Sequence, residues 1–131
     1  MQSERTTKSI LIVEDSTTTR ALIRAVIEEM GDFNTVEAGS GFDALKLLPT
    51  QEFDLVITDI NMPDINGLEL INFMKNNPRY SHLPLIIVST EKSEEDKKRG
   101  MALGAMAYIT KPFKAHELQE VIRQAIMYEG I

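Results

Sequence analysis

The sequence predicts an α/β fold, a (βα)5 arrangement in which five strands and five helices alternate around one doubly wound parallel sheet. Short apolar runs alternate along the chain with segments whose apolar residues recur at helical spacing. Three of the apolar runs contain no polar alternation, which is typical of parallel strands that helices cover on both faces. Successive strand–helix–strand units of this kind are expected to connect with right-handed crossovers.

The strands are predicted from the apolar runs and from the turn residues that separate them. They cover residues 10–13, 35–38, 55–58, 85–88 and 107–110. Residues 1–8 are polar and are expected to form a flexible tail. A chain of 131 residues has the length of one domain, which we place at residues 9–128, and we expect no output domain.

The first two helices are predicted from apolar spacing and from their end signals. The first carries four apolar residues on one face: Ile23, Val26, Ile27 and Met30. Gly31 is expected to end this helix. The second helix, residues 42–48, is expected to stop at Pro49.

Three further helices follow in the second half of the chain. The third is marked by apolar residues ahead of an Asn-Pro pair that ends it: Leu70, Phe73 and Met74. The fourth, residues 93–103, opens with the capping-box pattern SEED and has no apolar residue in its first two turns, so we expect it to be weakly held. The last helix carries five apolar residues on one face: Leu118, Val121, Ile122, Ala125 and Ile126.

Composition excludes several classes of protein. The chain has no Cys, and its two His residues are far apart, which argues against disulfides, thiolate chemistry and a zinc site. The formal net charge of −6 argues against nucleic acid as a direct partner. No apolar run approaches the roughly 20 residues of a membrane span, and the first residues lack the apolar core of a signal peptide. We therefore expect a soluble, cytoplasmic, monomeric protein.

Polar residues follow four of the predicted strands where each strand ends: Glu14 and Asp15, Asp59, Ser89 and Thr90, and Lys111. In an open α/β sheet, ligands bind outside the carboxyl ends of the strands, so these side chains are expected to share one crevice. Adjacent acids at the mouth of a buried strand repel each other unless a cation lies between them. Oxygen ligands without His or Cys favour Mg²⁺ over zinc.

Each of these residues also has a purely structural explanation. Asp15 could cap the next helix, Lys111 could be a solvated surface charge, and Ser89 or Thr90 could bond its own backbone. Taken together, the residues favour a phosphate held near the metal by Lys111 and Ser89. No nucleotide-binding glycine loop is present in the sequence, so we interpret Asp59 as a carboxylate that itself accepts a phosphoryl group.

Four segments of the sequence resemble the response-regulator receiver domains of the chemotaxis CheY type. They are VEDS, TDINMPDINGLEL, LPLIIVS and AYITKPF, and the resemblance extends over roughly residues 9–128. It implies a flavodoxin-like fold with strand order 2-1-3-4-5. It also implies a two-component signalling protein that receives a phosphoryl group from a histidine kinase of the CheA type and then acts on a downstream protein target.

The resemblance implies a role for each site residue. Asp59 is the phospho-acceptor, and Asp15 and Asp59 bind Mg²⁺ with the backbone carbonyl of Asn61, while Glu14 acts largely through water. Lys111 pairs with the phosphoryl group, and the peptide bond between Lys111 and the following proline is expected to be cis. Three more residues match motif positions of the family and are expected to be structural: Met62, Gly67 and Phe113. Gly67 is expected to serve a turn before the third helix.

The resemblance also implies a switch and an output surface. Ser89 would be the switch hydroxyl, with Thr90 as the less favoured candidate, and the ring of Tyr108 would turn inward when that hydroxyl moves. The signal would leave through the fourth helix, the fifth strand and the fifth helix, residues 93–128. Asn61 and Glu91 would modulate the attack of water, which gives an expected phosphoryl lifetime of seconds to minutes.

Two other functions are considered. Phosphatases of the haloacid-dehalogenase type also use an acid after a parallel strand, but they place a second acid two residues later, where this chain has Asn61. A receiver-like module that only binds a partner would not need the complete set of acids, hydroxyl and lysine. We expect no conventional enzyme, although the protein would catalyse its own phosphoryl transfer and dephosphorylation.

Overall fold

The structure of the protein, a computed structural model, describes residues 7–90 and 94–129. Within these ranges five strands form one parallel sheet: β1 Lys8–Val13, β2 Phe33–Ala38, β3 Leu55–Thr58, β4 Leu85–Ser89 and β5 Ala107–Thr110. Their order across the sheet is β2-β1-β3-β4-β5, so the predicted fold class and strand order are confirmed. β3 is the middle strand and β5 lies at one edge.

A helix follows each strand in the described parts of the chain: α1 Thr17–Glu28, α2 Gly41–Leu47, α3 Gly67–Lys75, α4 Glu94–Leu103 and α5 Ala115–Glu129. α2 continues into a short 3-10 turn, Leu48–Thr50, that contains Pro49. Gly31 comes shortly after the end of α1 and has a φ of 138°. None of the helices in these ranges is long and apolar enough to cross a membrane.

The sheet has an apolar core on each face because successive residues of a strand point to opposite faces. α1 and α5 cover the face that carries Ile10, and α2, α3 and α4 cover the face that carries Leu11. Met62 and Phe113 pack, partly buried, against these two cores. Burial on both faces explains why β3 and β4 are continuous apolar runs in the sequence.

The first two strands are longer than predicted. β1 begins at Lys8, inside the expected tail, and β2 begins at Phe33 rather than at residue 35. The parallel ladder between them already starts with the pair Lys8 and Phe33, followed by Ser9 and Asn34. Lys8, Ser9 and Asn34 are polar, so the start of each strand does not form part of an apolar run and was not predicted.

Phe73, one of the apolar residues that predicted α3, does not belong to the core. It is 43% exposed, because the buried stripe of α3 consists of Leu70, Ile71 and Met74. The ring of Phe73 lies near that of Tyr80, with the two centroids 6.3 Å apart. Spacing by three residues does not by itself decide which side of a helix faces the sheet.

α4 is attached to the molecule with little apolar burial. Gly100 is the buried residue of this helix, and the first turn consists of three acids: Glu94, Glu95 and Asp96. The predicted polar character of the helix is therefore confirmed. Ser93, at which the prediction began the helix, lies outside the described residues.

Candidate functional site

The carboxyl ends of the strands bring the predicted polar residues to one edge of the sheet. The register of β1 and β3 places Glu14 and Asp59 at the same level of neighbouring strands. The backbone N–H of Lys111 donates to the carbonyl of Ser89 at 2.8 Å, which ties the end of β5 to the end of β4. Because β5 is two positions away from β3, Lys111 needs its long side chain to reach the middle of the sheet.

Asp59 is 6% exposed at the end of the middle strand. Its Oδ1 accepts hydrogen bonds from the backbone N–H groups of Ile60 at 2.6 Å and Asn61 at 3.3 Å. Its Oδ2 accepts from Nζ of Lys111 at 3.3 Å. The two backbone donors therefore hold the carboxylate in one orientation, and Oδ2 is the oxygen presented to the ammonium group.

The backbone of Asp59 leaves no room for a side chain at Gly67. A Cβ at this position would overlap the carbonyl oxygen of Asp59, and the N–H of Gly67 donates to the carbonyl of Ile60 at 2.8 Å. Gly67 is the first residue of α3, where Asn66 and Glu69 form a capping box. Gly67 thus serves close packing of α3 against the end of β3, rather than the turn that was expected.

Glu14 is 2% exposed and bonds to three different parts of the site. Its carbonyl accepts from Arg20 at 2.8 Å. One carboxylate oxygen accepts from the backbone N–H of Ser16 at 3.1 Å, and the other accepts from Lys111 at 2.9 Å. Burial raises the pKa of Glu14 above its usual value, and the nearby charge of Asp59 adds to this, although the bonds from Lys111 and Ser16 oppose it.

Lys111 is the cation between these acids. Its Nζ lies 2.9 Å from Oε1 of Glu14 and 3.3 Å from Oδ2 of Asp59, and its side chain is 14% exposed. Burial works to lower the pKa of this ammonium, but the hydrogen bond to Glu14 and the charges of both carboxylates together raise the pKa of Lys111 above its usual value. The peptide bond between Lys111 and Pro112 is cis, as predicted.

Glu14, Asp15 and Asp59 form an acid cluster, in which one carboxylate oxygen from each residue lies within 4.8 Å of those from the other two. Ser16 caps α1, since its hydroxyl accepts from the N–H of Thr19 at 3.2 Å, so the capping explanation of Asp15 is wrong. Oxygen ligands bind Mg²⁺ at about 2.1 Å, so two of them lie at most about 4.2 Å apart. The acid cluster therefore has the donor chemistry, and nearly the spacing, that a divalent cation requires.

The other predicted site residues differ in burial. Ser89 is fully buried at the end of β4, whereas Thr90 is exposed. Tyr108 is half-buried and packs against the apolar core on the side of α4. Asn61 is exposed. Glu91 lies outside the described residues.

Sequence reasoning missed two charged residues that hold the loops of the site. Arg20 of α1 bonds the carbonyl of Glu14. Asp64, in the loop after β3, accepts from the backbone N–H groups of Gly41 at 3.2 Å and Phe42 at 3.0 Å, at the start of α2. Neither contact leaves a signal in the periodicity of the sequence, because each depends on how two elements meet in space.

The chain matches the response regulator receiver domain family over residues 10–123. It is 36% identical over 115 residues to the chemotaxis protein CheY of Pseudomonas aeruginosa, covering 88% of this chain and 93% of that protein. It is also 36% identical over 111 residues to the chemotaxis protein CheY-3 of Vibrio cholerae, covering 85% of each. The crystal structure of a CheY-like response regulator receiver domain protein from Methanospirillum hungatei superposes with a TM-score of 0.87 at 27% identity, covering 95% of this chain and 98% of that one.

Proposed function

The chain belongs to the response regulator receiver domain family, and from this membership we propose that it is the phosphorylated switch of a two-component signalling pathway. Asp59 accepts the phosphoryl group from a phosphohistidine of a histidine kinase, and the phosphorylated domain then binds a partner protein. The observation that carries the proposal is the buried Asp59 carboxylate, with Oδ1 held by the backbone and Oδ2 beside Lys111, inside the acid cluster.

The transfer forms a bond between Oδ2 of Asp59 and phosphorus while the bond between phosphorus and the histidine nitrogen of the donor breaks. The N–H groups of Ile60 and Asn61 hold Oδ1, so the attacking oxygen is already oriented. Lys111 stays beside the transferred group and neutralises charge on its oxygens. The acid cluster, with the carbonyl of Asn61, would hold Mg²⁺, which supplies further neutralisation of charge when it is bound.

Ser89 and Tyr108 are proposed to carry the change to the surface. The Ser89 hydroxyl, at the strand end next to Lys111, bonds a phosphoryl oxygen, and the half-buried ring of Tyr108 moves into the space that is vacated. α4 then shifts, because little of this helix besides Gly100 is buried and few contacts hold it in place. The surface formed by α4, β5 and α5 is the proposed binding site for the partner.

We further propose that the protein is a switch and not a conventional enzyme, because the product of the transfer stays attached to Asp59. Water releases the phosphate, and Asn61 and Glu91 set the lifetime at seconds to minutes. Both relatives named above are chemotaxis proteins, so a kinase of the CheA type and a role in motility are the first pathway to examine.

Phosphorylation by acetyl phosphate tests the assignment of Asp59. With Mg²⁺ present, the parent protein should take up one hydroxylamine-labile phosphate per chain, and EDTA should abolish the uptake. Asp59→Asn should take up none, because an amide is not a nucleophile for phosphorus. Asp43→Asn, which changes an exposed acid on α2, should behave as the parent does. Stoichiometric labelling of Asp59→Asn would show that the phospho-acceptor is a different residue.

A further inference from the structure

Arg20 connects β2 to the acid cluster. Its Nη1 donates to the carbonyl oxygen of Glu14 at 2.8 Å, and its Nε lies 3.0 Å from Oε1 of Glu37 on β2. The side chain of Arg20 is 18% exposed, so water competes little for these bonds. A guanidinium presents its donors in a rigid planar fork and can hold two separated acceptors in one plane, whereas the donors of a lysine ammonium rotate about a single nitrogen.

The carbonyl that Arg20 binds belongs to the peptide that joins Glu14 to Asp15. Because a peptide group is planar, holding its oxygen also sets the direction in which the chain continues to Asp15. The carboxylates on the two sides of this peptide both belong to the acid cluster. The orientation of one peptide group therefore helps to set the separation of two of the three carboxylates.

We propose that Arg20 is a positioning residue for the divalent-cation site, and that it holds the peptide between Glu14 and Asp15 so that both carboxylates converge on one ion. The inference rests on the proposed function, since the cation is the Mg²⁺ of that function. Glu37 is the anchor of this arrangement, because its carboxylate pairs with Arg20 through one oxygen and with Arg24 through the other.

A positioning role and a purely electrostatic role of Arg20 predict opposite changes in Mg²⁺ affinity when the residue is removed. A guanidinium near the site repels a cation, so its removal would tighten Mg²⁺ binding if charge alone mattered. If Arg20 holds the acids in place, its removal weakens Mg²⁺ binding, by about tenfold for a residue that acts through the ligands of a metal. The direction of the change separates the two roles.

Arg24 is the matched control. It lies one turn further along α1 and pairs with the same carboxylate, 2.6 Å from Oε2 of Glu37, while no hydrogen bond joins it to the carbonyl of Glu14 in the described chain. Arg24→Ala also removes one positive charge from Glu37, but it leaves the hydrogen bond to the peptide between Glu14 and Asp15 intact.

Titration with MgCl2, followed by amide chemical shifts, measures the dissociation constant of the parent and of each variant, and unfolding in EDTA measures their stability. Arg24→Ala should bind Mg²⁺ as the parent does, and Arg20→Ala should bind it about tenfold more weakly. Arg20→Lys, which keeps the charge but not the fork, should also bind it more weakly. In EDTA, the amides of Asp15 and Ser16 should shift in both Arg20 variants and stay in place in Arg24→Ala.

Mg²⁺ binding by Arg20→Ala that equals or exceeds that of the parent would overturn the inference, and so would an equal loss in Arg24→Ala. If Arg20→Ala does not fold, Arg20→Lys decides, because unchanged binding in that variant rejects the need for the fork. Acetyl phosphate labelling keeps the two proposals separate. A parent that binds Mg²⁺ but takes up no phosphate refutes the proposed function and leaves the role of Arg20 standing, whereas a labelled parent with unaffected Arg20 variants refutes the role of Arg20 alone.

Discussion

Lys111 contacts two of the three carboxylates in the acid cluster, so its ammonium balances much of the negative charge before a metal binds. Glu14 depends on it most, since this carboxylate is 2% exposed and its burial already raises its pKa. Removing one partner of a buried ion pair leaves an uncompensated charge, which costs about 3–5 kcal/mol in fully buried cases. The crevice is partly open, so a smaller effect is expected here.

We expect Lys111→Met to lower the free energy of unfolding in EDTA by about 1–3 kcal/mol, because Glu14 loses its counter-charge. Chemical denaturation at neutral pH measures the difference. Mg²⁺ bound at the proposed site would neutralise the same acids, so the difference in unfolding free energy between variant and parent should narrow at saturating Mg²⁺. Lys114→Met, at an exposed position of the same loop, should change little. A loss of the same size with and without Mg²⁺ would contradict this account of Lys111.

At the scale of elements, Asp64 joins the loop after β3 to the start of α2. Its carboxylate accepts from the N–H groups of Ile65 at 2.6 Å, Phe42 at 3.0 Å and Gly41 at 3.2 Å. Desolvation works to raise the pKa of Asp64, but the hydrogen bonds from these donors together lower that pKa below its usual value. The folded state therefore binds this proton less tightly than the unfolded state. The resulting stabilisation is present above about pH 4 and is lost as the pH falls through the lower pKa of the folded protein.

Asp64→Asn should lower the melting temperature at neutral pH, because the amide replaces one charged acceptor with a donor. The difference from the parent should shrink as the pH falls below about 4. Thermal melts between neutral and strongly acidic pH measure it. Asp43→Asn serves as the control. It removes a carboxylate of α2, the helix whose start Asp64 binds, and this carboxylate accepts none of the three hydrogen bonds. A difference between Asp64→Asn and the parent that stays constant with pH would mean that the charge of Asp64 is not its cause.

α4 is the element that we expect to respond to phosphorylation, because an element with few buried contacts requires the least free energy to move. Beryllofluoride with Mg²⁺ is a mimic of the phosphoryl group and can be added to labelled protein. Amide shifts should spread from the site over residues 89–104 and 107–111, and Asp59→Asn with the same additives should show none of them. Shifts confined to the neighbours of Asp59 and Lys111 would rule out the proposed output surface.

At the scale of the whole molecule, the proposed Mg²⁺ binding would be linked to folding stability, because only the folded chain gathers the acid cluster. A ligand at 100 times its dissociation constant adds about 2.7 kcal/mol of stability. The melting temperature should therefore rise in millimolar MgCl2 and change little in NaCl of the same ionic strength. Asp15→Ala relieves repulsion among the acids, so it should raise the melting temperature in EDTA and reduce the response to Mg²⁺. No response in the parent would remove the basis for a cation site.

The architecture could be predicted because burial on both faces leaves β3 and β4 as unbroken apolar runs. The gathering of the acid cluster could be predicted as well, since parallel topology places all carboxyl strand ends at one edge. The bond from Arg20 to Glu14 could not, because it depends on the rotation of α1 and on the distance to β2. The exposure of Phe73 escaped prediction for a related reason, since spacing alone does not fix which side of α3 meets the sheet.

The sparse burial of α4 has a consequence for how such a protein diversifies. Most residues of α4 are exposed, and substitutions at such exposed positions change stability by no more than about 0.5 kcal/mol in the usual case. A gene copy can therefore acquire a new binding surface on this helix, one substitution at a time, while the folded core tolerates each step. Proteins descended from one ancestral copy could in this way bind different partners while the chemistry of the site stays the same.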